Sequence, residues 1–139
     1  MTDYTAFTGE QFRAFRDIDR AGPIHMLNLV ALRDRAEYPD GRSATGAEAY
    51  AAYGRDTAPI LAEVGGRIVW RGRMEYMLIG PGEEAWDLCF IAEYPSVEAF
   101  VTMIKRPDYQ AAMGHRQAAV RDSRLIRMEP GSVGESFAQ

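Results

Sequence analysis

Three polar residues stand among apolar neighbours where they could do chemistry: Asn28, His115 and Arg116. Tyr109, Ala112, Met113, Arg116 and Val120 keep the i, i+3, i+4 spacing of one helical stripe, so Arg116 points where apolar side chains point. A buried guanidinium needs a partner, because breaking a buried ion pair costs ~3–5 kcal/mol. Asp122, Asp87 and Glu93 are the candidate carboxylates. His115 lies one step round, at the edge of the stripe. Histidine titrates near neutral pH, which suits an acid or base in proton transfer. Asn28 falls mid-strand between Leu27 and Leu29. A buried amide left without a partner costs ~1–3 kcal/mol. Two readings of it stay open, a hydrogen bond to a neighbouring loop or an amide that orients a ligand carbonyl and donates to a developing oxyanion. The stretch from His115 to Arg124 likewise reads either as the polar edge of a cavity or as a half-exposed region with an internal ion pair.

A second set of residues has the character of a ligand lining. Tyr50 and Tyr53 are three apart on one helix face, so their rings are neighbours. They either pack in the core with their hydroxyls at a polar rim or line a pocket. Trp70 and Arg71 alternate on one strand and face opposite ways. Arg71 either clamps a carboxylate in bidentate fashion or pairs with Glu75 or Asp87. Trp86 and Asp87 open another strand, where the tryptophan marks a pocket mouth or a dimer contact. Asp87 is a solvated strand-start residue or a general base. His25 reads as a structural histidine, and the sole cysteine, Cys89, as a small core residue. The two histidines share no ligand spacing, so no metal is expected, and no glycine-rich phosphate loop precedes a helix.

The elements that must position these groups follow from local signals. Thr8 with Gln11, and Thr45 with Glu48, are capping boxes that open two helices. Phe7 and Phe12 stand where a hydrophobic staple packs. Residues 24–32 read as a strand whose faces are Ile24, Met26, Asn28, Val30 and His25, Leu27, Leu29. The second helix should kink or restart at Pro59 and stop at Gly65-Gly66. Residues 67–80 alternate as one long strand, with a bulge suggested at Gly72 and with Ile68 and Trp70 on one face. A strand over 86–94, a helix from Pro95-Ser96, a helix from Asp108 and a strand over 123–129 complete the chain.

The order strand, helix, strand, strand, helix, strand, with a helix in front, is α+β. It gives the split βαβ, ferredoxin-like arrangement βαββαβ with a four-stranded antiparallel sheet. One domain is expected over 1–139: an N-terminal helical extension at 1–22, a core at 23–129 and a tail at 130–139. Helices cover one face of such a sheet, yet the strands are apolar on both. The second face should therefore meet another copy, giving a homodimer.

Composition narrows the partners. A chain of 139 residues, 47% hydrophobic and 26% charged, suits one soluble domain with a real core. A net charge of −4 argues against nucleic acid as a partner. No apolar run approaches the ~20 residues that span a bilayer, and no basic-then-apolar leader opens the chain, so no membrane association and a cytoplasmic location are expected.

The segments "GPIHMLNLVALRDRAEYPDG", "SATGAEAYAAYG", "WDLCFIAEYPSVEAF" and "PDYQAAMGHRQAAVRDSRLI" resemble the domain-of-unknown-function 1330 family of the dimeric α+β barrel group. The resemblance spans residues 10–129. It implies a sheet-lined pocket of a kind that the group uses for cofactor-free monooxygenases, small isomerases and some haem enzymes. The resulting expectation is a dimeric enzyme acting on a small carbonyl-bearing or aromatic molecule without metal or cofactor. His115 would be its acid or base, Asn28 its carbonyl donor, and Arg116 or Arg71 its charge partner. The alternatives are a non-catalytic ligand-binding or stress-linked module, and a haem protein with His115 as axial ligand.

Overall fold

The computed structural model describes residues 3–138. Its elements in chain order are α1 (Gly9–Arg16), β1 (Ile24–Leu32), α2 (Gly46–Glu63), β2 (Arg67–Gly72), β3 (Leu88–Tyr94), α3 (Val97–Lys105), α4 (Pro107–Ala119) and β4 (Val120–Met128). The strands form one antiparallel sheet in the order β2-β3-β1-β4. This is the ferredoxin-like βαββαβ fold with an added N-terminal helix, and the second crossover is split into α3 and α4.

Both capping boxes form. The Thr8 and Thr45 hydroxyls accept the backbone N–H of Gln11 and Glu48, whose side chains reach back to the cap N–H. Phe7 stacks on Phe12 at 5.2 Å, and Phe15 meets Phe100 edge-on at 5.3 Å, so α1 is tied to α3 through an aromatic row.

Strand parity sorts the side chains. Ile24 and Met26 of β1 and Ala92 and Tyr94 of β3 pack with Ile60, Phe100, Met103 and Tyr109 of the helices in the main core. The opposite face carries Leu27, Leu29 and Ile91, all half-buried, with Trp70 at 51% and Ile126 at 45% exposure. Only at one end of it do the loop residues Met74 and Trp86 pack over Leu29, Ala31 and Cys89.

Several local expectations need correction. The strand over 67–80 ends at Gly72: β3 begins at Leu88, so residues beyond 72 have no backbone to pair with, and 73–87 is loop. The register break lies between Ile68 and Trp70, not at Gly72. The extra residue puts Ile68 on the helix side and Trp70 on the open side, so the two do not share a face. Of the kink or restart expected at Pro59, the restart does not occur: α2 is one helix from Gly46 to Glu63. Strand β4 starts at Val120, three residues early, because Leu32 of β1 extends far enough to pair with it.

Candidate functional site

A cavity of about 940 Å³ lies between the helix-covered face of the sheet and the helices. Register defines its floor. Arg71, Phe90, Asn28 and Leu125 are successive partners across the four strands and form one row; Ile68, Ala92, Met26 and Arg127 form the next. Tyr50, Tyr53, Thr57 and Leu61 of α2 and Tyr109, Met113 and Arg116 of α4 make the roof. The N-terminal segment Tyr4–Phe7 closes the side next to β4.

The sheet register and the helical stripe thus bring Asn28, Arg116, Tyr50, Tyr53 and Arg71 to one space. Arg116 has no carboxylate partner among the described residues: it donates to the Thr5 carbonyl at 2.8 Å and to Ser123 Oγ at 3.4 Å. The three expected partners are engaged elsewhere. Asp122 pairs with Arg124 at 2.7 Å, Asp87 accepts from the Leu32 N–H at 2.7 Å, and Glu93 holds His25 and Arg67 at 2.9 Å each on the open face. Arg71 makes no hydrogen bond or ion pair among the described residues, so its pairing with Glu75 or Asp87 does not occur. The Asn28 amide donates to the Met26 carbonyl at 3.0 Å. That bond turns Nδ2 toward the strand and leaves Oδ1 and the second N–H for other partners.

The tyrosines stay protonated. Burial pushes Tyr50 up to about 12, with Arg116 pulling it part of the way back. Burial raises Tyr53, Tyr94 and Tyr109 too. Tyr53 and Tyr109 share a hydrogen bond of 2.7 Å. These hydroxyls are neutral donors throughout the physiological range.

Other residues singled out from the sequence lie apart. His115 does not line the cavity. Tyr38 OH meets its Nδ1 at 2.6 Å and Asp56 lies 3.4 Å from its Nε2, on the outer side of α4. Trp70 is on the open sheet face. Trp86 and Asp87 line a separate hollow of about 420 Å³ with Tyr50, Arg73 and Met74. The Arg124 guanidinium lies 5.0 Å above the Trp86 ring.

The residues that sequence reasoning missed are Tyr4, Thr5 and Arg127. Tyr4 N–H donates to Asp122 Oδ1 and its carbonyl accepts from Ser123, at 2.8 Å each, which pins the N-terminal segment against β4. Buried Asp122 takes further bonds from Ser123 N–H and Arg124. Burial pushes the Asp122 carboxyl up, but those donors outweigh it and the net shift is downward. Asp122→Asn should cost ~1–3 kcal/mol and loosen the segment, measured as a lower Tm and faster N-terminal proteolysis. A lowered folded pKa places this contribution above the ordinary carboxylate range. The stability gap between wild type and variant should hold at neutral pH and shrink as pH falls below about 4.

Residues 42–129 match the family described as a domain of unknown function, DUF1330. No functionally curated protein matches the chain. Two crystal structures of RPA0582, a protein of unknown function from Rhodopseudomonas palustris, are 62% and 61% identical to it. They cover 97% and 95% of this chain and 100% of their own, with TM-scores of 0.93 and 0.91. A dimeric protein of unknown function with a ferredoxin-like fold from Bacteroides fragilis is 15% identical over 77% of this chain and 95% of its own, TM-score 0.50. SnoaB, a cofactor-independent oxygenase from Streptomyces nogalater, is 14% identical over 86% of this chain and 100% of its own, TM-score 0.51. At such identities the last two share the fold.

Proposed function

The chain belongs to the DUF1330 family, and from that premise we propose that it is a homodimeric small-molecule protein whose helix–sheet cavity binds a partly aromatic enol, phenol or carbonyl compound and stabilises its oxyanion. One observation carries this reading: Arg116, with no carboxylate beside it among the described residues, shares a single cavity with the Asn28 amide and the hydroxyls of Tyr50, Tyr53, Tyr94 and Tyr109. Preorganised donors aimed at one point stabilise a developing oxygen charge better than bulk water does. The cavity lining holds no carboxylate and no histidine among the described residues. A bound acid therefore gives its proton to water at the cavity mouth, and the reaction open to such a site is one begun by an acidic substrate. SnoaB, a cofactor-independent oxygenase of the same fold, supports that class. His115 has no role in this reading. The lack of a side-chain base favours a second one, a binding protein that holds the same kind of ligand without turnover.

The homodimer rests on the apolar sheet face and on the loop residues Tyr76, Leu78 and Ile79, which are largely exposed.

Titration with 2-naphthol tests the site, since its ionised form absorbs at longer wavelength. The bound naphthol should ionise at least ~1 unit lower than the free compound, the usual effect of an adjacent cation. Arg116→Gln should remove the shift while binding persists. If 2-naphthol does not bind, the cavity reading fails. If it binds with unshifted ionisation, the oxyanion role fails.

A further inference from the structure

The charge balance of the cavity is one-sided. Its lining includes Arg71, Arg116, Arg124 and Arg127, and no aspartate or glutamate among the described residues. In a chain of net charge −4 this is a local reversal of sign. Arg124 borders the cavity at its β4 edge but pairs in register with Leu29 of the open face and is neutralised by Asp122; Arg71, Arg116 and Arg127 have no carboxylate partner among the described residues. Arg116 is held by a carbonyl and a hydroxyl, which orient a guanidinium without cancelling its charge. Arg127 donates from one nitrogen to the Phe15 carbonyl at 2.6 Å, while its other terminal nitrogen is buried and has no partner among the described residues. A buried donor left unmade is costly unless something else completes it. The remaining wall is apolar, with Phe12, Phe90, Phe100, Met103 and Met113 prominent.

We propose that the natural ligand is a small organic carboxylate with an aromatic or aliphatic body, its carboxylate held by Arg116 and the tyrosine hydroxyls and its body seated on the Phe90 side of the floor. This deepens the preceding reading and rests on it. A carboxylate fits better than a phosphoryl group. The arginine fork serves carboxylate and phosphate alike, so the choice rests on what else borders the cavity. The helix starts that border this cavity, those of α1 and α4, have their first-turn N–H groups already engaged, Gln11 by Thr8 Oγ1 and Tyr109 by Asp108 Oδ1, so they offer no free cradle for a phosphoryl group. Arg71, opposite Phe90 on the edge strand and free of any protein partner among the described residues, meets the anion as it enters.

Displacement of bound 2-naphthol by 2-naphthoate and by 2-naphthamide separates the claims, because the two competitors share one body and differ in charge. Naphthoate should displace at least about 10-fold more tightly, the worth of one charge-assisted bond. Arg116→Gln should bring naphthoate down to the level of naphthamide and leave naphthamide unchanged. Arg71→Gln, which breaks no contact within the fold, should weaken naphthoate alone by a few-fold and serves where Arg116→Gln disturbs the N-terminal segment. Naphthamide binding as tightly as naphthoate overturns the carboxylate while leaving the cavity reading intact. So does a naphthoate preference that survives both substitutions. Failure of 2-naphthol itself to bind overturns the cavity reading instead.

Discussion

Gly46→Ala should lower the melting temperature by about 10 °C, the largest stability effect expected of any single methyl group in this protein. Gly46 is the first residue of α2 and is buried. A Cβ there would lie 1.9 Å from the Arg33 carbonyl oxygen and 2.9 Å from its carbon. Both are backbone atoms, and Arg33 cannot yield, because its N–H is bonded to the Ala119 carbonyl at 2.8 Å. The clash must be relieved by moving the start of α2 away from the end of β1. Overpacking costs ~1–3 kcal/mol where side chains can shift and more where backbone must. At this chain length each kilocalorie is worth roughly 3 °C. Gly114→Ala is the matched control. It lies within α4 with nothing within 4 Å of its added methyl, so it should stabilise by up to ~1 kcal/mol through helix propensity. Differential scanning calorimetry of both variants checks the pair. Equal melting temperatures would mean that α2 and β1 do not approach as described.

Ile91→Arg should abolish the proposed homodimer and leave a monomer at micromolar concentration. Ile91 sits at the centre of the open sheet face, opposite Leu27 on one side and Trp70 on the other. In a face-to-face dimer a guanidinium there is buried without a partner, once in each subunit. An uncompensated buried charge costs ~3–5 kcal/mol, a loss of at least about 100-fold in association. The main core packs on the other side of the sheet, so far-ultraviolet circular dichroism should not change. Sedimentation velocity distinguishes the outcomes. A wild type that sediments as a monomer, or a variant that dimerises as tightly, would contradict the assembly.

Legibility in the sequence followed the range of the interaction. The capping boxes at Thr8 and Thr45 depend on residues three apart and are legible directly. The inward direction of Arg116 is legible because its stripe with Tyr109 and Met113 is periodic. Its partner could not be read, since Thr5 is 111 positions away and accepts through a backbone carbonyl that any residue could supply. The inward turn of Arg71 together with Ile68 depends on an extra residue in β2 that only pairing with β3 reveals. His115 shows the limit of helical spacing: one position from Arg116 is a rotation of ~100°, enough to turn the ring out of the cavity and onto Tyr38 and Asp56.

The position of a bound aromatic molecule tests the central claim most directly. A crystal grown with 6-bromo-2-naphthol and measured at the bromine absorption edge should show its anomalous peak between Phe90 and Met113, with the naphthol oxygen in hydrogen-bonding reach of Arg116. A bromine peak on the open sheet face or in the hollow beside Trp86, with the helix–sheet cavity empty, would contradict it.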